Sequence, residues 1–216
     1  MSDLNSYGFG RGAAVATAQS RNRVLRNTYA LLALSMVPTV IGAWLGVAMG
    51  FTFFEGSPFM GAIIFLAVAF GFFWAIEKNK DTGMGVVLLL AFTFFMGVML
   101  SRLIGMTLGS YSNGAALIMG AFGGTAAIFT VMASIATVSK KDFSGMGKFL
   151  FVGVILLILA SLANIWLQIP ALMLTLMVVA TAIFSAFILV DVQRVVNGGE
   201  TNYIIATLGI YLSIYN

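Results

Sequence analysis

The run ALMLTLMVVATAIFSAFILV, residues 171–190, carries no charge over twenty positions and then meets Asp191. About 20 apolar residues in helical form cross a hydrocarbon core of about 30 Å, so this run reads as a membrane-spanning helix. It lacks the apolar and polar alternation of a lipid-facing barrel strand, and an open sheet in lipid would leave peptide groups unpaired. Working outward from it, five more apolar segments of comparable length appear: approximately Thr28 to Phe54, Phe59 to Ile76, Met84 to Ser101, Ala115 to Val138 and Gly147 to Leu167. A seventh piece, Tyr203 to Tyr215, is shorter and is either a half-helix or a truncated span. The expected fold is an all-α integral membrane protein, a seven-helix transmembrane bundle over residues 28–216. A polar, small-residue stretch, residues 1–27, precedes it and reads as a flexible cytoplasmic tail.

Composition supports this. Apolar residues make up 61% of the 216 positions and charged residues 8%, with a mean hydropathy of +1.05, against about 25% charge in soluble domains. Membrane lipid is therefore the main partner. The absence of cysteine and histidine removes disulfides, thiolate nucleophiles, imidazole bases and the commonest zinc and haem ligands. No cofactor is expected. The net charge of +4 is scattered through loops with no basic groove to form, which speaks against a nucleic-acid partner.

Those positive charges report topology instead. With the amino terminus inside, Arg11, Arg21, Arg23, Arg26, Lys78, Lys80, Lys140, Lys141, Lys148 and Arg194 fall on the cytoplasmic side and Arg102 alone on the other, ten against one. Arg102 reads as an anchor that snorkels to the outer interface; Glu55 falls on the same outer side, with nothing in the sequence to pair the two. An odd number of spans places the carboxyl terminus outside.

Small residues let helix backbones approach in lipid. Gly42, Gly46 and Gly50 at four-residue spacing in the first span, and Gly120 and Gly124 with Gly123 in the fourth, are the expected packing stripes. Pro38 interrupts the first span, and Ser35 is placed to satisfy the carbonyl that the proline leaves free. The thirteen Met and nineteen Phe read as lipid-facing or gap-filling side chains.

Seven acids are present, Asp3, Glu55, Glu77, Asp81, Asp142, Asp191 and Glu200, and most lie in the tail or in loops. Asp191 differs because Val192, Val195 and Val196 carry the apolar pattern past it. Two readings are open: an interfacial charge neutralised by Arg194 three residues on, or a partly desolvated carboxylate that acts as a proton-sensitive switch, burial disfavouring the charged form. Gln193 and Asn164 are the amides expected to hydrogen-bond between helices. An enzyme is not expected. An intramembrane aspartyl protease needs two facing carboxylates, Phe143-Ser144-Gly145 has no histidine base to serve a serine nucleophile, and no Gly-rich phosphate loop is present.

The stretch Asp191-Val192-Gln193-Arg194, followed by Gly198, Tyr203 and then Ala206-Thr207-Leu208-Gly209-Ile210-Tyr211-Leu212-Ser213-Ile214-Tyr215-Asn216, resembles the carboxyl-terminal signature of the Bax inhibitor-1, or transmembrane Bax-inhibitor-motif, family. It resembles in particular the family's bacterial YccA-like branch. Gly105-Met106-Thr107-Leu108-Gly109 and Gly123-Gly124-Thr125-Ala126-Ala127-Ile128-Phe129 agree with it, so the likeness covers nearly the whole chain. It implies a short, central last helix wrapped by six others, in a bacterial cytoplasmic (inner) membrane, with a family pattern that continues past the position of Asn216.

It also implies a pH-sensitive leak of calcium or another cation, held closed by an acidic pair on the last two helices. Asp191 matches the first member, while Ser213 stands at the second, where it can donate a hydrogen bond but cannot share a proton between two carboxylates. Calcium would be a transported ion bound weakly and transiently by Asp191, one carboxylate being too few ligands for a tight site. The alternative implied by the YccA-like branch is a modulator and substrate of a membrane-bound ATP-dependent protease, with the amino-terminal tail as its handle.

Overall fold

The structure is a computed structural model that describes residues 4–51 and 58–216, with side chains described from residue 19 onward and not at Pro58. The described residues form seven helices in the order α1 (Leu4–Ala48), α2 (Pro58–Lys78), α3 (Gly83–Ser110), α4 (Gly114–Val138), α5 (Met146–Leu167), α6 (Pro170–Val196) and α7 (Tyr203–Tyr215), and no strand. Six are long and apolar enough to cross a membrane, α1 through its segment Gln19–Ala48, and α7 is shorter. The all-helical membrane fold is as expected.

The boundaries shift where a charge or a glycine suggested an end that the backbone does not take. Residues read as a tail are helical from Leu4; the stretch contains no proline, and its four alanines and four arginines favour a helix against its glycines. At its other end α1 stops at Ala48. Gly50 has a φ of 59°, Phe51 N–H donates to the Gly46 carbonyl at 2.8 Å and Gly50 N–H to that of Val47 at 3.1 Å, the pair of bonds that closes a helix through a left-handed residue. Gly50 is thus a terminator and not the third member of a packing stripe. The third span continues beyond Ser101 to Ser110, since Leu103 to Leu108 keep the segment apolar past Arg102. Glu55 lies outside the described residues.

Two compact units are distinguished, residues 28–127 and residues 128–216 with the first part of α1. In the first, α1 and α3 touch backbone to backbone. A Cβ on Gly42 would collide with the Phe94 carbonyl oxygen, one on Gly46 with the Ser101 hydroxyl, and one on Gly97 with the Thr39 carbonyl oxygen. Gly97, on the opposite helix, had no sequence signal of its own. An aromatic seam joins α2 to α3: Phe65 stacks on Phe95 with centroids 5.9 Å apart, and Phe92, fully buried, meets Phe72 at 5.6 Å and Phe73 at 5.4 Å. Such ring pairs contribute about 0.5–1.5 kcal/mol each beyond the area they bury. Some of the phenylalanines are thus the gap-filling side chains expected, and they hold two helices together.

Gly120, Gly123 and Gly124 behave differently from Gly42 and Gly46. They are exposed, and a Cβ on any of them would meet nothing within 4 Å, so among the described residues their stripe packs against no helix. Ser35 corrects a further expectation. Its hydroxyl donates to the Leu32 carbonyl at 2.7 Å, while Thr39 donates to the Ser35 carbonyl at 2.9 Å, so neither serves the Leu34 carbonyl four residues before Pro38.

In the second unit, α5, α6 and α7 pack in sequence order. Gly153 lets the Ile183 side chain approach to 3.1 Å of where its Cβ would stand, and Gly147 admits Val190. Helix α6 ends as α1 does: Gly198 has a φ of 77°, Gly199 N–H donates to the Arg194 carbonyl at 2.8 Å and Gly198 N–H to that of Val195 at 3.1 Å. Asn202 then caps α7, its Oδ1 accepting from Ile204 N–H at 2.9 Å and Ile205 N–H at 3.2 Å. The Glu200 carboxylate accepts from Asn202 N–H at 2.8 Å and fixes that cap. This turn lays α7 back along α6.

Candidate functional site

Asp191 lies within α6, five residues before its end, so the apolar pattern of Val192, Val195 and Val196 did mark a helix that runs through the carboxylate. The return of α7 brings Gly209 and Ser213, one helical turn apart, to face it. Ser213 is buried and its hydroxyl donates to Asp191 Oδ2 at 3.2 Å. A Cβ on Gly209 would stand 3.7 Å from the same oxygen, which is ordinary contact, so the lack of a side chain there opens room beside the carboxylate. Asp191 itself is half-buried.

Arg194 is exposed, and no ion pair joins it to Asp191 among the described residues. Of the two readings of Asp191, the one in which it meets Ser213 in the packed interior of its unit has the geometry, and the one in which Arg194 alone neutralises it does not. What the arrangement offers chemically is one carboxylate with one hydroxyl donor. No group of three acidic, cysteine or histidine residues that could hold a metal ion occurs among the described residues.

Gln193, two residues on from Asp191 and therefore on another face of α6, is buried. The expectation of a bond between helices is corrected here, for both of its partners belong to the backbone of the α4–α5 loop. Its Oε1 accepts from Phe143 N–H at 2.5 Å and its Nε2 donates to the Lys141 carbonyl at 2.6 Å. One amide thus satisfies a donor and an acceptor of a loop that has no secondary structure to do so. The loop is braced from within as well, Asp142 Oδ1 accepting from the Ser144 hydroxyl at 2.6 Å and from Ser144 N–H at 2.9 Å. Those bonds, the hydroxyl first, hold the Asp142 carboxyl below the usual carboxylate range.

Asn164 also differs from expectation. Its Oδ1 accepts from Ile169 N–H at 3.1 Å, and its carbonyl from the N–H of Gln168, which has a φ of 52°. It shapes the α5–α6 corner, at the far end of α6 from Asp191, about 30 Å away by helical rise. The structure therefore brings together Asp191 and Ser213, ties Gln193, on another face of α6, to the backbone of Lys141 and Phe143, and leaves Asn164 apart.

Residues 21–216 match the family model described as inhibitor of apoptosis-promoting Bax1. The chain belongs to the Bax inhibitor-1 family. Within the Bax inhibitor-1 family it is similar to an uncharacterized protein of Neisseria meningitidis serogroup A, 38% identical over 199 residues, covering 91% of this chain and 87% of that one. An uncharacterized membrane protein of Vibrio cholerae is 35% identical over 213 residues, 99% and 93% of the two chains. The modulator of FtsH protease YccA of Escherichia coli K12 is 34% identical over 197 residues, 91% and 86%. With its six long apolar helices and a relative named as an inner membrane protein, this member of the Bax inhibitor-1 family is a multi-pass protein of a bacterial inner membrane.

Proposed function

We propose that this protein modulates a membrane-bound ATP-dependent protease of the FtsH type. The observation that carries this is the 34% identity, over 91% of the chain, to a protein named for that role. The family match begins at residue 21, which leaves the amino-terminal residues, placed on the cytoplasmic side by the positive-inside rule, as the segment through which such a protease would engage the chain. The names of the family and of this relative, inhibitor and modulator, describe action on another protein and not catalysis. Deleting residues 2–18 keeps the span Gln19–Ala48 and is expected to abolish co-purification with the protease while the variant stays in the membrane at normal abundance. Turnover of the protease's other membrane substrates should then match that in cells without the protein. Undiminished co-purification together with unchanged turnover would sink the reading.

A second reading, a proton-sensitive leak of calcium or another cation, draws its support from Asp191, a half-buried carboxylate in a spanning helix whose visible partner is the Ser213 hydroxyl. Intramembrane carboxylates commonly lie on ion or proton paths. Calcium takes six to eight oxygen ligands, so one carboxylate gives passage and not storage. Liposomes bearing the purified protein should release calcium at a rate that depends on pH, and Asp191→Asn, which can still accept from Ser213, should remove that dependence. A flux untouched by the substitution would remove the basis for this reading.

A further inference from the structure

Arg102 stands where a cation is hard to keep. Helix α3 has 28 residues, about 42 Å at 1.5 Å per residue, against a hydrocarbon core of about 30 Å. Arg102 precedes Ser110 by about 12 Å of helical rise, so with α3 centred its Cα lies about 6 Å inside the hydrocarbon boundary. The residues beyond it, Leu103 to Leu108, carry no charge, and the Thr107 hydroxyl is spent on the Leu103 carbonyl at 2.8 Å. The guanidinium must reach outward over an apolar surface or be met by an anion that comes down to it. It is exposed, and no carboxylate pairs with it among the described residues.

Two clefts adjoin it, both within the first unit. One, about 240 Å³, runs between α2 and α3 and is walled by Phe51, Phe65, Val98 and Met99. The other, about 400 Å³, runs between α1 and α3 along Gly46, Gly50 and Gly105. Arg102 lines both. A cation at the junction of an apolar groove and a second, glycine-lined groove of mixed character, near the end of α3 away from Lys78 and Lys80, matches a molecule with one anionic head and two hydrocarbon tails.

We propose that Arg102 and these paired clefts form a binding site for one anionic glycerophospholipid of the outer leaflet, its phosphate on the guanidinium and its acyl chains in the two grooves. The guanidinium fork suits two phosphate oxygens at once. The site is independent of Asp191 and of any engagement with a protease.

The test is lipid retention by the full-length protein in nanodiscs of phosphatidylcholine with phosphatidylglycerol as the minor component, read by mass spectrometry of the released complexes. Wild type is expected to retain phosphatidylglycerol selectively. Arg102→Gln should lower that occupancy about tenfold, as for loss of one charge-assisted pair. Gly105→Leu, at a position where a Cβ meets nothing within 4 Å, should lower it by filling the larger groove with the charge intact, while Glu55→Gln should leave it unchanged. Free glycerophosphate, which has the head without the tails, should not compete. Equal retention by Arg102→Gln, or no preference in wild type, overturns the proposal. So does a preference that emerges only in Glu55→Gln, which would show that Glu55 already neutralises Arg102, or full competition by glycerophosphate, which would show an anion site without a lipid groove.

Discussion

The Ser213 hydroxyl lies 3.2 Å from Asp191 Oδ2 and joins α7 to α6 across twenty-two residues of sequence. The serine occupies the position at which the resemblance to the Bax inhibitor-1 family implies a second acid, so a neutral donor replaces a partner that would share a proton. Ser213→Ala removes one hydrogen bond and is expected to destabilise the protein by about 1 kcal/mol. Ser213→Asp sets two carboxylates against each other, which repel unless one holds a proton. The thermal midpoint of that variant in detergent should fall relative to wild type as pH rises. Parallel profiles would show that the two side chains do not face each other.

Gln193 is the tether of the α4–α5 loop. Gln193→Ala leaves the Phe143 N–H and the Lys141 carbonyl without their partner, at a cost of about 1–3 kcal/mol. Amide exchange at Phe143 should quicken, and trypsin should cut sooner at the exposed Lys140 and Lys141. Gln193→Glu keeps the acceptor and loses the donor, so it should fall between the two. Unchanged exchange at Phe143 in the alanine variant would count against the tether.

Asp142 titrates in the open, so its behaviour reports the loop directly. Its folded value is lowered by the Ser144 hydroxyl and, after it, the Ser144 N–H. The contribution to stability is present above the ordinary carboxylate value and is lost as pH falls through the lowered one. Ser144→Ala should move the Asp142 midpoint upward in a carboxyl carbon NMR titration. A midpoint that stays in place would show that the hydroxyl is not the cause.

Gly97→Ala and Gly42→Ala drive a methyl group into backbone that cannot turn aside, and each should cost about 1–3 kcal/mol. Gly120→Ala and Gly124→Ala meet open space and should be neutral or stabilising by up to about 1 kcal/mol through helix propensity. Thermal unfolding in detergent distinguishes the pairs. Equal effects at all four positions would contradict the packing described.

The contrast between these glycines marks how far the sequence could be read. Four-residue spacing says that Gly120 and Gly124 share a helical face, as Gly42 and Gly46 do, but spacing does not say what that face meets. Length and apolar content gave the six spans, and the valines after Asp191 gave the reach of α6, because lipid imposes those patterns directly. Arg102 resembles a boundary in the sequence, while the backbone of α3 follows the apolar residues beyond it to Ser110. Asp191 and Ser213 could be paired from the family signature. Gln193 could be singled out as a buried amide, yet its partners are peptide groups fifty and fifty-two residues distant, and peptide groups carry no residue-type signature.

The glycine contacts of α1 with α3 have a mechanical consequence. At Gly42 and Gly97 no side chain intervenes between the two helices, and at Gly46 only that of Ser101 does, so neither can slide or roll on the other without a collision. Any rearrangement within residues 28–127 must carry α1 and α3 as a single plank. The Phe72, Phe73 and Phe92 seam between α2 and α3 is the softer joint, since ring faces and edges accept lateral displacement that interlocked backbone does not.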